Sequence, residues 1–83
     1  MYYVYILKLS NNNLYVGLTN KIKRRFKEHQ ERKGPYTSKY LPVKLVYFEC
    51  YINKSDAGKR EKFLKSGRGR EVMKKQLENT LKK

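Results

Sequence analysis

The chain has 83 residues, enough for one small domain, which we predict to span residues 1–83. It carries 21 basic and 7 acidic residues, a formal net charge of +14, and its 20 Leu, Ile, Val and Phe residues suffice for a small core. One cysteine and one histidine exclude a disulfide scaffold and a zinc finger. With no apolar run of ~18 residues and no signal-peptide pattern, we expect a cytoplasmic protein without a membrane partner.

The N-terminal part of the chain predicts a β-hairpin. Residues 2–9 are rich in aromatic and β-branched side chains, which is typical of a strand. Residues 10–13 read Ser-Asn-Asn-Asn, and asparagine tolerates the left-handed backbone of a tight turn. Residues 14–18 then predict the returning strand.

A helix is predicted from Lys21 to Arg32. Ile22, Phe26 and His29 recur at helical spacing and form one apolar stripe. The Gly34-Pro35 pair is expected to end this helix and to open a loop over residues 34–42.

The third predicted strand runs from Leu45 to Ile52. Strict alternation assigns its residues to two faces, with Val46, Phe48, Cys50 and Ile52 on one face and Tyr47, Glu49 and Tyr51 on the other.

Two further helices are predicted at the C-terminal end. The first is capped by Asn53 or Ser55, places Ala57, Glu61 and Leu64 on one face, and ends at Ser66-Gly67. The second runs from Arg70 to about Leu81, with Met73, Leu77 and either Leu81 or Thr80 inward. The resulting order, ββαβαα, excludes the RNA-recognition motif, which needs βαββαβ and its own aromatic signature.

The positive charge is concentrated in two segments. Residues 1–20 contain one basic residue, residues 21–33 contain seven, and residues 54–83 contain eleven. Such a field attracts polyanions, of which nucleic acid is the commonest. An anionic membrane surface and ribosomal RNA are the rival partners, and charge alone does not separate them.

Several residues could carry chemistry. Tyr5 and Tyr15 stand on paired strands where they can share one face. Arg25 and His29 form an i, i+4 pair beside the helical stripe, where an arginine can hold a phosphate. Glu61 is an inward carboxylate that needs a cation, a metal or a partner such as Lys65 or Arg25. Each of these, taken alone, fits an ordinary structural role.

Two glycine-containing segments add weaker signals. Gly17 lies inside a strand, where glycine marks a bulge or a close approach by another group. The segment Gly67-Arg68-Gly69-Arg70 combines free N–H groups with positive charge, as a phosphate contact does.

Together these residues resemble the GIY-YIG nuclease family over about residues 2–78. The resemblance is carried by Tyr3-Val4-Tyr5, Tyr15-Val16-Gly17, Arg25, His29 and Glu61 within Arg60-Glu61-Lys62. The stretch from Pro42 to Tyr47 and the segment from Ala57 to Lys65 look like the short stand-alone bacterial members, which are similar to the amino-terminal domain of the UvrC-type excinuclease.

The resemblance implies an α/β (α+β) fold with a three-stranded antiparallel sheet flanked by helices. It also implies metal-dependent phosphodiester hydrolysis, with Mg²⁺ or Mn²⁺ on Glu61. The implied catalytic residues are Tyr5, Tyr15, Arg25, His29 and Glu61. We favour Tyr5 as the base, Tyr15 as its partner and His29 as the proton acceptor. The expected substrate is DNA in preference to RNA, in repair or recombination, contacted by Lys21, Arg24, Arg60, Arg68 and Arg70.

The sequence also departs from the family pattern. Tyr3 stands where the family name has glycine, and Val4 and Val16 replace isoleucine. The family's asparagine beyond the glutamate has one downstream candidate, Asn79. The alternative function is therefore a nucleic-acid-binding module of the same fold with weak or lost catalysis. A structural protein on RNA is a third interpretation, supported by composition alone.

Overall fold

A computed structural model describes residues 1–31 and 37–82. Within these ranges the elements follow the predicted ββαβαα order, with a short 3₁₀ turn added and the predicted last helix, Arg70 to about Leu81, divided into two helices at Leu77. They are β1 (Tyr2–Lys8), β2 (Leu14–Thr19), α1 (Ile22–Gln30), the 3₁₀ turn (Thr37–Lys39), β3 (Lys44–Tyr51), α2 (Lys54–Lys65), α3 (Gly67–Gln76) and α4 (Glu78–Leu81). The predicted break at Gly34-Pro35 lies outside the described residues.

The three strands form one antiparallel sheet in the order β2-β1-β3. In its register Tyr5 of β1 lies between Gly17 of β2 and Phe48 of β3, while Leu7 faces Tyr15. Side chains of directly opposed residues point to the same side of a sheet. The register therefore confirms that Tyr5 and Tyr15 share one face.

The β1–β2 turn is built from asparagine, as the sequence predicts. Asn12 has φ 68°, the left-handed region that asparagine tolerates better than most residues. The side chain of Asn11 accepts a hydrogen bond of 3.1 Å from the backbone N–H of Asn13. This turn fixes the register that brings Tyr5 opposite Gly17.

Strand β3 does not alternate strictly, which corrects the predicted faces. Its pairing with β1 shifts between Ile6 and Leu7, so that Tyr47 and Leu45 oppose consecutive β1 residues and Val46 is the extra residue of a bulge. Val46 consequently packs against the same core as Tyr47 instead of continuing the face of Phe48.

Each side of the sheet has its own hydrophobic core. On one side the buried residues of β1 and β2 meet α2, α3 and the start of α4, through Val4, Ile6, Leu14, Val16, Ala57, Leu64, Met73 and Leu77. On the other side a smaller cluster meets α1 and the segment before β3, through Tyr5, Leu7, Leu9 and Val43 with Ile22, Phe26 and Leu41 at its edge. The sheet is thus covered by helices on both sides, and Tyr5 belongs to the α1 side.

The helix boundaries of α2 and α3 follow from their caps. Asn53 caps α2, because its side chain accepts from the N–H groups of Ser55 and Asp56. Ser66 caps α3 through the N–H of Gly69, at 3.1 Å. Since Ser66 provides this cap, α3 begins at Gly67, earlier than the predicted Arg70.

No helix within residues 1–31 and 37–82 combines the length and the apolar character that crossing a bilayer requires.

Candidate active site

Tyr5 is a buried tyrosine at the centre of the α1 side of the sheet, with only 2% of its surface exposed. Its hydroxyl lies 2.9 Å from Nε2 of His29. The ring passes across the backbone of Gly17, so a Cβ at that position would collide with the ring carbons and the hydroxyl of Tyr5. The strand-interior glycine predicted from the sequence therefore marks the close approach of the Tyr5 ring.

His29 connects Tyr5 to a second buried hydroxyl. Its Nδ1 lies 2.7 Å from Oγ1 of Thr37, and both side chains are fully buried. Burial lowers the pKa of His29, and the positive charge of Arg25 lowers it further, whereas Glu28 opposes this effect. At neutral pH His29 is therefore a neutral imidazole, with one ring nitrogen donating and the other accepting.

Arg25 lies one helical turn before His29, where its guanidinium reaches both a carboxylate and the Tyr5 phenol. Its Nη1 donates to Oε1 of Glu28 over 3.2 Å. Partial burial opposes the charge, but hydrogen bonds to Glu28 and Tyr5 raise the pKa of Arg25. Since about a third of the side chain is exposed, this guanidinium can meet an anion from solvent.

Tyr15 is the second phenol of the site and is less buried than Tyr5. Its ring contacts the His29 ring edge-on, with centroids 5.2 Å apart, and Tyr5 makes a similar contact at 5.9 Å. Tyr15 also lines a cleft at the β2 edge with Lys65 and Arg70. It therefore joins the buried Tyr5–His29 pair to a basic part of the surface.

The two phenols and the arginine act on one another electrostatically. Burial, followed by repulsion from Tyr15, raises the pKa of Tyr5 to about 12, while the neighbouring Arg25 lowers it and Glu61 adds a smaller raising effect. Tyr5 is therefore protonated at neutral pH. The charge of Glu61 acts on Tyr5 although the two residues belong to different layers of the fold.

Glu61 lies on α2, between the buried Ala57 and Leu64, and 22% of its side chain is exposed. Its Oε2 lies 3.0 Å from Nζ of Lys65, which is one of the partners that the sequence suggests. The carboxylate is therefore partly buried and paired with a half-exposed lysine, and this lysine also lines the Tyr15 cleft.

The side chains at this site could hold a metal ion that keeps most of its water ligands. They do not fit a metal ion that takes most of its ligands from the protein. Among the described residues, no group of three or more His, Cys, Asp or Glu side chains could hold a metal ion. Glu61 is a single carboxylate beside a basic cleft. Mg²⁺ is commonly bound by one or two carboxylates together with water and substrate phosphate, which is the arrangement that this residue could support.

The predicted nucleic-acid contacts lie in three different places. Lys21 and Arg24 border a cleft beside Tyr3 at the start of α1. Arg68 and Arg70 are exposed in the first turn of α3, and Arg70 shares the Tyr15 cleft. Arg60 faces β3 and forms an ion pair with Glu49.

Arg60 and Glu49 form a clamp between α2 and β3. Nε and Nη2 of Arg60 donate to the two carboxylate oxygens of Glu49 over 3.0–3.2 Å. The hydroxyls of Tyr47 and Tyr51 each donate to the same carboxylate at 2.7 Å. Burial opposes the effect, yet these bonds hold the pKa of Glu49 below its usual range. This clamp neutralises Arg60, so its charge serves the fold rather than a surface open to phosphate.

Asn79 is exposed on α4 and gives no support to its identification with the family asparagine. Its neighbours Glu78 and Leu81 line a cleft with Asn12 and Leu14 at the turn end of the hairpin. Asn79 therefore lies at the end of the molecule that holds the β1–β2 turn, whereas Tyr5 and His29 lie further along the sheet.

Thr37 and the Glu49 clamp were not found from the sequence. No periodic pattern in the sequence marks a buried threonine at position 37. Glu49 did carry a signal, because a lone acidic residue between two tyrosines on one face of a strand requires partners when it is covered.

Comparison with known protein families identifies the family to which a chain with these site residues belongs. Residues 1–82 match the model of the GIY-YIG catalytic domain. The chain belongs to the GIY-YIG family. The family is one of nuclease domains, so membership supports a nuclease-like role and implies nucleic-acid binding.

Relatives and a solved structure agree with this GIY-YIG assignment. A UPF0213 protein of Clostridium perfringens is 48% identical over 66 residues, covering 78% of this chain and 71% of the relative. One from Haloquadratum walsbyi is 44% identical over 66 residues, covering 78% and 74%. The NMR structure of the UPF0213 protein BH0048 from Bacillus halodurans superposes with a TM-score of 0.57 at 35% identity, covering 88% of this chain and 82% of that one. The family model and these relatives confirm the predicted family, and the superposition confirms the predicted fold.

Proposed function

We propose that this GIY-YIG protein is a metal-dependent endonuclease that hydrolyses phosphodiester bonds of DNA. The observation that carries the proposal is the hydrogen bond of 2.9 Å between the Tyr5 hydroxyl and His29 Nε2, beside the guanidinium of Arg25. It supplies a proton path and a phosphate-binding charge in one place. Repair or recombination is the expected context for such an activity.

The proton path follows from the pKa directions. A phenol whose pKa is about 12 is a poor free base at neutral pH. The neutral His29 behind it removes this difficulty, since Tyr5 can take a proton from the attacking water as its own proton passes to Nε2. Thr37 holds the other side of the imidazole at 2.7 Å and keeps the ring aimed at Tyr5.

Two groups would stabilise the negative charge that develops on the phosphate. Arg25 acts electrostatically on the phenol and is partly exposed, so it can bind a nonbridging oxygen as negative charge develops there. Glu61 is the residue that would hold the metal, and Mg²⁺ bound there would add positive charge at the leaving oxygen. Tyr15, the more exposed phenol, would orient the phosphate or the water between these groups.

The test compares cleavage by the wild-type chain with cleavage by Glu61→Gln. Supercoiled plasmid and branched DNA duplexes are incubated with each protein in Mg²⁺ or Mn²⁺. We expect metal-dependent cleavage by the wild type and a loss of about 10²–10³-fold in Glu61→Gln. Glu71→Gln is the matched control, because Glu71 is exposed on α3 and the substitution changes the charge equally. Cleavage that persists undiminished in Glu61→Gln would contradict the proposal.

The competing function is a binding module of the same fold without hydrolysis. The ion pair between Glu61 and Lys65 favours it, because this pair already compensates the carboxylate that a metal would need. In that case the wild-type chain would bind DNA but leave it intact in either metal, and Lys65→Met would not introduce cleavage.

A further inference from the structure

Two aromatic rings lie uncovered on the α1 side of the sheet, next to the candidate site. Phe48 of β3 is 52% exposed, and Tyr3 of β1 is half-buried beside it. Their ring centroids are 6.0 Å apart at an interplanar angle of 63°. We call this pair the aromatic patch. Large exposed rings side by side on a regular sheet are typical of a binding surface rather than of chance exposure.

The aromatic patch is bordered by positive charge. Tyr3 lines a cleft of about 380 Å³ with the residues that lead into α1, namely Asn20, Lys21, Ile22, Lys23 and Arg24. Three of these are basic and none is acidic. Nε of Arg24 lies 4.0 Å from Oε2 of Glu28, which makes this a long ion pair, and 67% of the Arg24 side chain is exposed. On β3 the carboxylate of Glu49 is held by Arg60 in the α2 clamp and does not offset this charge.

The aromatic patch adjoins the Tyr5 site through the sheet register. Phe48 and Gly17 are the two cross-strand partners of Tyr5. Neighbouring strands are about 5 Å apart, so the backbone of Phe48 lies one strand away from that of Tyr5, and both side chains are on the same side of the sheet. A nucleotide on Phe48 would therefore lie on the side of the sheet that carries the candidate site.

We propose that Tyr3 and Phe48 form a stacking platform for an unpaired nucleotide base, with Lys21, Lys23 and Arg24 binding the phosphates of the same strand. The inference rests on the proposed function for its partner, a nucleic acid, but it needs no hydrolysis. It names the substrate class as single-stranded or locally unpaired polynucleotide. Aromatic rings beside a basic track are the arrangement by which proteins bind single strands without reading their sequence.

Charge complementarity favours a polynucleotide over a second copy of the chain as the occupant. Each copy carries a net charge of +14, and the border of the aromatic patch is itself basic. Bringing two such surfaces together would oppose like charges, whereas a polyanion with exposed bases matches both the rings and the charges.

The experiment measures binding in EDTA, so that hydrolysis plays no part in it. Fluorescence anisotropy follows a labelled oligothymidylate of about 12 nucleotides, and an abasic strand with the same number of phosphates serves as the matched probe. The variants are Phe48→Ala, Phe48→Leu and Phe48→Tyr, and Ile52→Ala is the control because Ile52 is an exposed apolar residue at 85% exposure. Circular dichroism verifies the fold of each variant.

We expect Phe48→Ala and Phe48→Leu to weaken oligothymidylate binding by about tenfold, whereas Phe48→Tyr and Ile52→Ala retain it. Affinity for the abasic strand should be equal in all variants. Unchanged oligothymidylate binding in Phe48→Ala, or equal losses on both probes, would overturn the platform. A dimer in gel filtration that Phe48→Ala abolishes, with strand affinity unchanged, would instead assign the patch to self-association. Because no metal is present, each result is independent of the Glu61 cleavage test.

Discussion

Gly17 and Tyr5 depend on each other as partners in the β1–β2 register. The Tyr5 ring occupies the space where any other residue at position 17 would place its Cβ. Because Tyr5 is nearly fully buried and bonded to His29, its ring has little freedom to move aside. The glycine is therefore a requirement of the site rather than of the strand.

We predict that Gly17→Ala destabilises the protein by about 1–3 kcal/mol, the usual cost of overpacking, and displaces the Tyr5 hydroxyl from His29. Chemical denaturation measures the loss. Gly58→Ala is the control, because a Cβ at Gly58 in α2 meets nothing within 4 Å, and it should gain about 0.5–1 kcal/mol from helix propensity. Equal effects of the two substitutions would argue against a clash at position 17.

His29 links the site to the acid stability of the fold. Its pKa is lowered by burial and by Arg25, so the unfolded chain binds a proton at a higher pH than the folded chain. Stability is therefore fully present above the unfolded value of about 6.5, and falls as the pH drops from there to the folded pKa.

We predict a fall of up to ~1.4 kcal/mol per pH unit below about pH 6.5, from this one group. Denaturant unfolding at a series of pH values gives the slope. In His29→Gln the part of the slope that begins just below pH 6.5 should disappear, since glutamine does not titrate. An identical slope in the variant would mean that other groups cause it.

Helix α2 is the element that carries Glu61, and the Glu49–Arg60 clamp fixes it to β3. The carboxylate of Glu49 accepts from a guanidinium and from two tyrosine hydroxyls, and only 14% of its side chain is exposed. The neighbouring Phe63 ring lies 5.5 Å from the guanidinium carbon. The clamp therefore fixes α2 to the sheet at Arg60, the residue that directly precedes Glu61.

Removing one side of the clamp should cost more than removing an exposed charge. We predict that Glu49→Gln destabilises by about 1–3 kcal/mol, because the guanidinium and the phenols lose a charged acceptor. In a double-mutant cycle with Arg60→Met the two effects should be less than additive. Glu71→Gln on the exposed side of α3 should stay within about 0.5 kcal/mol. Additive losses would show that the clamp is not a unit.

Among the described residues, four of the predicted phosphate contacts form two pairs. Lys21 and Arg24 lie at the start of α1, and Arg68 and Arg70 lie at the start of α3. Arg60, the fifth predicted contact, is paired with Glu49. Four phosphate contacts, each releasing counterions, would give a slope of about −3 to −4 in a plot of log K against log salt concentration.

We predict this slope for DNA binding in EDTA, corresponding to about a hundredfold loss between 50 and 200 mM salt. Arg70→Gln should make the slope shallower by about one, because one phosphate contact is lost. Arg60→Gln is the comparison, and its slope should equal that of the wild type. A larger change in Arg60→Gln than in Arg70→Gln would contradict the assignment of Arg60 to the clamp.

Local signals in the chain were sufficient for the order of the elements, whereas the roles of the five candidate residues came from the resemblance to the family and stay predictions. The asparagine turn, the helical stripe through His29 and the cap at Asn53 act over a few residues, so a sequence pattern reveals them. The bulge at Val46 escaped prediction because it depends on pairing with β1, and strict alternation was therefore wrong for that part of β3.

Other features arise between residues that are distant in the chain. Tyr5 and His29 are separated by 24 positions, and Glu49 and Arg60 by 11, and nothing local indicates that these atoms come within hydrogen-bonding distance. The order and type of the side chains in the sequence are sufficient to predict which face of a helix or strand a residue occupies. The partner that meets it, and hence whether Arg60 serves a phosphate or a carboxylate, depends on how separate layers pack together.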